Sequence, residues 1–163
     1  PWAWTSSAPT VTHGDVLPMT SRLLYVAEPS RTWVDRPPVV VDCSVLSAVL
    51  WAEPAAAAVQ AGLINRTLFA PSLLRYELAN VARNKARSGV PDEIARAGLD
   101  AFAEQKVVLR EMRIDRLFDI AQRLSLTAYD AAYLCLAEEL QAPLITLDRR
   151  LAEAAQRHLG NRE

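Results

Sequence analysis

Residues 143–160 read PLITLDRRLAEAAQRHLG, a buried-strand pattern that stops on a carboxylate and runs straight into a helix. Asp148, at the junction, is the residue type that caps a helix by accepting hydrogen bonds from its free first-turn N–H groups. The same grammar recurs upstream. VVV at 39–41 ends at Asp42 and is followed by SVLSAVLWAE, with Ser44 as candidate cap. TLFAP reads as a second strand, and the helix after it runs from a cap at Ser72 to a stop at Gly89. PDEIARAGLDAFAEQ is a helix with Pro91 near its first turn, KVVLREM a strand, and IDRLFDIAQRL and TAYDAAYLCLAEEL two further helices. Short apolar strands alternating with helices predict an α/β fold, with a parallel sheet covered by helices on both faces.

The chain of 163 residues is long enough for one domain with a real core, and its 51% hydrophobic content suits a globular protein. Its 18 basic and 19 acidic residues leave a net charge of -1, so no overall field announces a nucleic-acid or membrane partner. No apolar run approaches the roughly 20 residues that a membrane-spanning helix needs. Cys43 and Cys135 lack zinc-ligand spacing and read as two buried thiols in a reducing cytoplasm. Composition breaks at Pro37-Pro38: residues 1–38 hold six of the ten prolines and three of the four tryptophans. An arm over 1–38 and a domain over 39–163 are therefore expected, with Met19 as a candidate natural start.

In parallel α/β sheets, ligands bind beyond the carboxyl ends of the strands. Asp42 and Asp148 both follow strands, which places them at one edge. Singly, each has a structural explanation as a turn or cap residue. Asp130 has one too, since Thr127-x-x-Asp130 matches capping-box spacing. Glu77 has none: Leu73, Leu74, Asn80 and Val81 lie three and four residues away, and none is a cation. A carboxylate beside an apolar stripe becomes protonated or finds positive charge, here either an arginine or a metal ion. Two like charges about 4 Å apart repel by about 4 kcal/mol at an effective dielectric near 20. Gathered together, the four would call for a cation, and oxygen-only ligands select Mg²⁺ or Mn²⁺.

At VVVDCSVL, LLRYELANVARN, LTAYDAAYLCLAEEL and APLITLD, in that order, the sequence resembles the PIN domain, a metal-dependent nuclease fold that includes the VapC-type toxins. The resemblance maps the family's acidic positions onto Asp42, Glu77, Asp130 and Asp148. Ser44, Thr146 and Asn80 match its supporting polar positions. It implies a three-layer α/β/α domain and an endoribonuclease using Mg²⁺ or Mn²⁺ on an RNA substrate. It also implies a homodimer and a cognate antitoxin protein that covers the site. The arm departs from the pattern, because small family members begin shortly before the first Asp.

Arg83 and Arg87 share a face of the Glu77 helix and are candidates to contact RNA phosphates, as is Arg149 beside Asp148. His13 and His158 have no partner pattern, and His158 reads as helix-end chemistry. Two other readings compete. A phosphatase or receiver domain needs a lysine near its phosphoryl group, yet Lys85 and Lys106 are the only lysines and neither follows a strand. A noncatalytic protein keeping the fold to bind a partner is the third, and all four acidic positions being filled weighs against it.

Overall fold

A computed structural model of the protein describes residues 36–160. The arm, Met19 and His13 lie outside the described residues, apart from the last few positions before Val39.

Four parallel strands form the sheet: β1 (Pro38–Val41), β2 (Thr67–Pro71), β3 (Val107–Arg110) and β4 (Leu144–Ile145), in the order β3-β2-β1-β4. Among the described residues seven helices cover it: α1 (Cys43–Leu50), α2 (Ala56–Leu63), α3 (Leu74–Arg87), α4 (Asp92–Glu104), α5 (Ile114–Leu124), α6 (Ala128–Leu140) and α7 (Arg149–Leu159). The α/β/α expectation holds. Val39, Val40 and Val41 are fully buried, as a central strand covered on both faces requires. α6 packs on β1 and β2, with α5 and α7 beside it, and its buried run from Ala131 to Ala137 fills one side of the core. α1 packs on α2, α3 and α4.

Connectivity fixes where a site can form. The chain winds outward from β1 through β2 to β3, then returns to lay β4 on the other side of β1. The order reverses between β1 and β4, and the crevice beyond their carboxyl ends is where such sheets bind ligands.

Local details differ from the sequence reading. Asp42, rather than Ser44, caps α1, accepting from the Val45 N–H. Ser72 caps nothing with its side chain; its N–H donates to the Arg110 carbonyl, and α3 starts two residues later without a side-chain cap. Gly89 does end that helix, at φ +94°. The strand expected to reach Asp148 stops at Ile145, so Thr146 and Leu147 carry the chain from strand to cap. α2, within the alanine run after Pro54, has no counterpart in the sequence reading.

Candidate active site

Among the described residues Asp42 is the most buried carboxylate, 5% exposed at the tip of β1. Its Oδ1 accepts from the Ser44 hydroxyl at 2.7 Å and from the Val45 N–H at 3.0 Å. Its Oδ2 accepts from the Thr146 hydroxyl at 2.7 Å. Thr146 in turn accepts from the Asp148 N–H at 2.9 Å, and Ser44 from the Leu147 N–H at 2.9 Å. The segment between β4 and α7 is thereby clamped to the first turn of α1. Asp148 caps α7, its Oδ1 accepting from the Leu151 N–H at 2.9 Å.

Glu77 projects from the first turns of α3, half-buried. Its Oε2 accepts from the hydroxyl of Tyr133, a residue of α6 that is 2% exposed. Among the described residues its partner is thus a neutral donor rather than an arginine. Sequence reading missed Tyr133; the available signal is that a tyrosine inside an apolar helix needs an acceptor for its hydroxyl. Thr127 caps α6 as the spacing predicts, accepting from the Asp130 N–H at 3.1 Å, while Asp130 Oδ2 accepts at 2.8 Å from the Thr127 hydroxyl rather than from the Thr127 N–H of a full capping box.

The four carboxylates share one electrostatic neighbourhood. Burial raises the Asp42 pKa above its ordinary value, its three donors counteract, and Asp148 adds repulsion. Burial likewise raises Glu77, the Tyr133 hydroxyl counteracts, and the charges of Asp42 and Asp130 push further upward. The neighbouring Cys43 thiol is pushed up to about 12 by burial, then by Glu77, Asp42 and Glu53. Among the described residues no lysine, arginine or histidine pairs with any of the four. An arginine as the counter-charge of Glu77 is therefore ruled out within that region.

The donor set suits a hard divalent cation: all oxygen, negative and short of positive partners. It is not a closed cage. Among the described residues no three acidic, histidine or cysteine side chains are grouped tightly enough to hold a metal by themselves. Mg²⁺ tolerates this, since it keeps several waters and takes one or two carboxylates plus substrate phosphate.

The arginines behave differently from the acids. Arg149 pairs with Glu153 at 2.9 Å, its side chain 92% exposed, as the i,i+4 spacing along α7 allows. Arg150 donates to the Ser125 carbonyl at 2.6 Å. Arg83 borders a groove between α3 and α4 together with Arg96, and Arg87 is exposed near the end of α3. Asn80 is exposed one turn beyond Glu77. His158 meets Glu138 at 2.8 Å, away from the four acids. Cys135 is buried as expected, whereas Cys43 is partly exposed.

Comparisons with known proteins bear on the family and the fold. The PIN domain family model matches residues 39–157. Ribonuclease VapC1 of Mycobacterium tuberculosis is 36% identical over 119 residues, covering 71% of this chain and 89% of that protein. Ribonuclease VapC3 of Pyrobaculum aerophilum is 32% identical over 120 residues, covering 70% and 92%. The crystal structure of PAE2754 from Pyrobaculum aerophilum superposes with a TM-score of 0.59 at 26% identity, covering 76% of this chain and 87% of that one. With a family match over residues 39–157, most of its length, the chain belongs to the PIN domain family.

Proposed function

We propose that this chain is an endoribonuclease, dependent on Mg²⁺ or Mn²⁺, that hydrolyses RNA phosphodiester bonds as the toxin of a type II toxin-antitoxin pair. Its partners in this reading are the RNA substrate, a cognate antitoxin and a second copy of itself, in the cytoplasm. The catalytic domain is 39–163 and the arm 1–38. The observation that carries the reading is the electrostatic repulsion that links Asp148 to Asp42, and Asp42 and Asp130 to Glu77, with no cation paired to any of them among the described residues. The VapC names of the relatives support the choice of RNA.

Asp42, Glu77, Asp130 and Asp148 would hold the ion, directly or through its waters. When bound, the ion supplies Lewis-acid chemistry, polarising the phosphodiester and making water acidic enough to lose a proton near neutral pH. The chain's own residues prepare for it. Ser44 and Thr146 fix both oxygens of Asp42, so that carboxylate loses little freedom on binding. Tyr133 holds Glu77 and favours its ionised form. Arg83 and Arg87 lie on the same helix as Glu77 and would position phosphates without reading sequence.

The test is Mn²⁺-dependent cleavage of defined RNAs by the wild type and Glu77→Gln side by side. Cleavage by the wild type that stops on chelation, and is lost in the variant, is the expected result. Wild type that cuts no RNA, or a variant that cuts equally well, overturns the assignment.

A further inference from the structure

Tyr76 and Tyr129 contribute nothing to the core or to the carboxylate network, yet each directly precedes one of its members, Glu77 and Asp130. They are 75% and 65% exposed. One belongs to α3 and the other to α6, and together with Leu73, Glu77 and Asn80 they line a single cavity of about 430 Å³. That volume falls within the range of small-ligand pockets. Among the described residues the Asn80 side chain has no hydrogen-bond partner, so both its amide donors and its carbonyl are available.

We propose that this cavity is a nucleobase subsite, in which Tyr76 and Tyr129 offer aromatic faces to one unpaired base of an RNA strand and Asn80 reads its edge. The inference rests on the nuclease reading and deepens it, because the cavity includes Glu77 and a base seated there brings its own backbone to the carboxylates. Unpaired bases are recognised by stacking on aromatic side chains and by hydrogen bonds to their exposed edges. Stacking tolerates any base, whereas an amide that both donates and accepts discriminates between edges. Apart from Glu77 the lining is neutral, so a base can enter where a phosphate would be repelled. Both rings are largely in water before binding, and covering them adds apolar burial to the stacking.

The experiment uses a short RNA carrying 2-aminopurine, titrated with Mn²⁺ present into the full chain bearing Asp42→Asn so that the strand stays intact. Tyr76→Leu and Tyr129→Leu, each added to that background, are expected to weaken binding by about 5- to 150-fold and to reduce the fluorescence quench that stacking produces. Tyr→Phe at either position is expected to restore both. Unchanged affinity in the leucine variants, or a loss that phenylalanine fails to restore, overturns the proposal. So does a parent protein that binds no oligonucleotide. Leucine variants that hold RNA normally but lose a protein partner would reassign the cavity to that partner. Both rings being exposed, the leucine variants should keep the parental melting temperature. Wild-type cleavage is measured separately: a protein that binds the base but cuts nothing sinks the nuclease assignment while leaving the subsite standing.

Discussion

Replacing Tyr133 with phenylalanine removes one oxygen from the core and isolates the contribution of its bond to Glu77. The ring is 2% exposed and its packing survives the change, so the loss is confined to the hydroxyl and the carboxylate that it serves. A hydrogen bond to a charged group contributes about 1.5–3 kcal/mol. Glu77 is only half-buried, and water takes up part of the lost bond, so the expected cost is about 1–1.5 kcal/mol. For a urea slope of about 1–3 kcal/mol per molar, the unfolding midpoint of the metal-free protein should fall by roughly 0.3–1.5 M. A second readout comes from protonation. The hydroxyl is the group that pulls the Glu77 pKa down against burial and against Asp42 and Asp130. Without it that pKa rises further, fewer molecules carry the ionised carboxylate at a given pH, and the acid limb of Mn²⁺-dependent cleavage moves to higher pH. An unchanged urea midpoint together with an unmoved acid limb would show that Tyr133 does not serve Glu77 in solution.

Asp42→Asn should abolish cleavage while leaving the metal-free melting temperature equal or higher, because it removes a buried charge that Asp148 repels. Thr146→Val deletes both the donor to Asp42 and the acceptor of the Asp148 N–H; isothermal titration with Mn²⁺ should show affinity down about 10- to 100-fold, with Thr146→Ser close to wild type. The metal-free protein should gain stability as pH falls through the raised folded pKa values of Asp42 and Glu77 toward their ordinary values of 3.8 and 4.5, since in that window the folded state binds more protons. Urea melts of the Asp42→Asn/Glu77→Gln double variant should lose that trend. Glu53, lowered by Lys85, acts with the opposite sign and costs stability only at more acidic pH. In Gly98→Ala the new Cβ would stand 2.2 Å from Trp51 Cε2, so a cost of about 1–3 kcal/mol is expected in thermal unfolding, and none if the indole moves freely.

The alternation of apolar strands with helices made the sheet and its parallel sense legible, because burial on both faces leaves β1 no polar position to hide. α2 escaped for the opposite reason: in a run such as AAAAVQAGL nearly every residue is apolar and small, so no face stands out, and in the fold only Val59 is buried. β4 was read too long because Thr146 and Leu147 look like strand continuation. Their polar groups instead go to Asp42 and Ser44, contacts made over about a hundred residues that no local pattern encodes. The need of Glu77 for a partner was visible from the lack of cations around it on its own helix. That the partner is a neutral hydroxyl 56 residues away could be learned only from the fold, which brings Tyr133 of α6 to Glu77 of α3. Arg149, though adjacent in sequence to Asp148, finds its carboxylate on its own helix, at Glu153.

The hydroxyl of Thr146 reaches back 104 positions to steady Asp42. A chain emerging from the ribosome can therefore build most of the sheet while Asp42 still lacks its Thr146 donor. On the nuclease reading proposed above, the growing polypeptide should cut no RNA until the segment around Thr146 and Asp148 clears the exit tunnel and docks beside β1. In that reading translation itself is a safety catch.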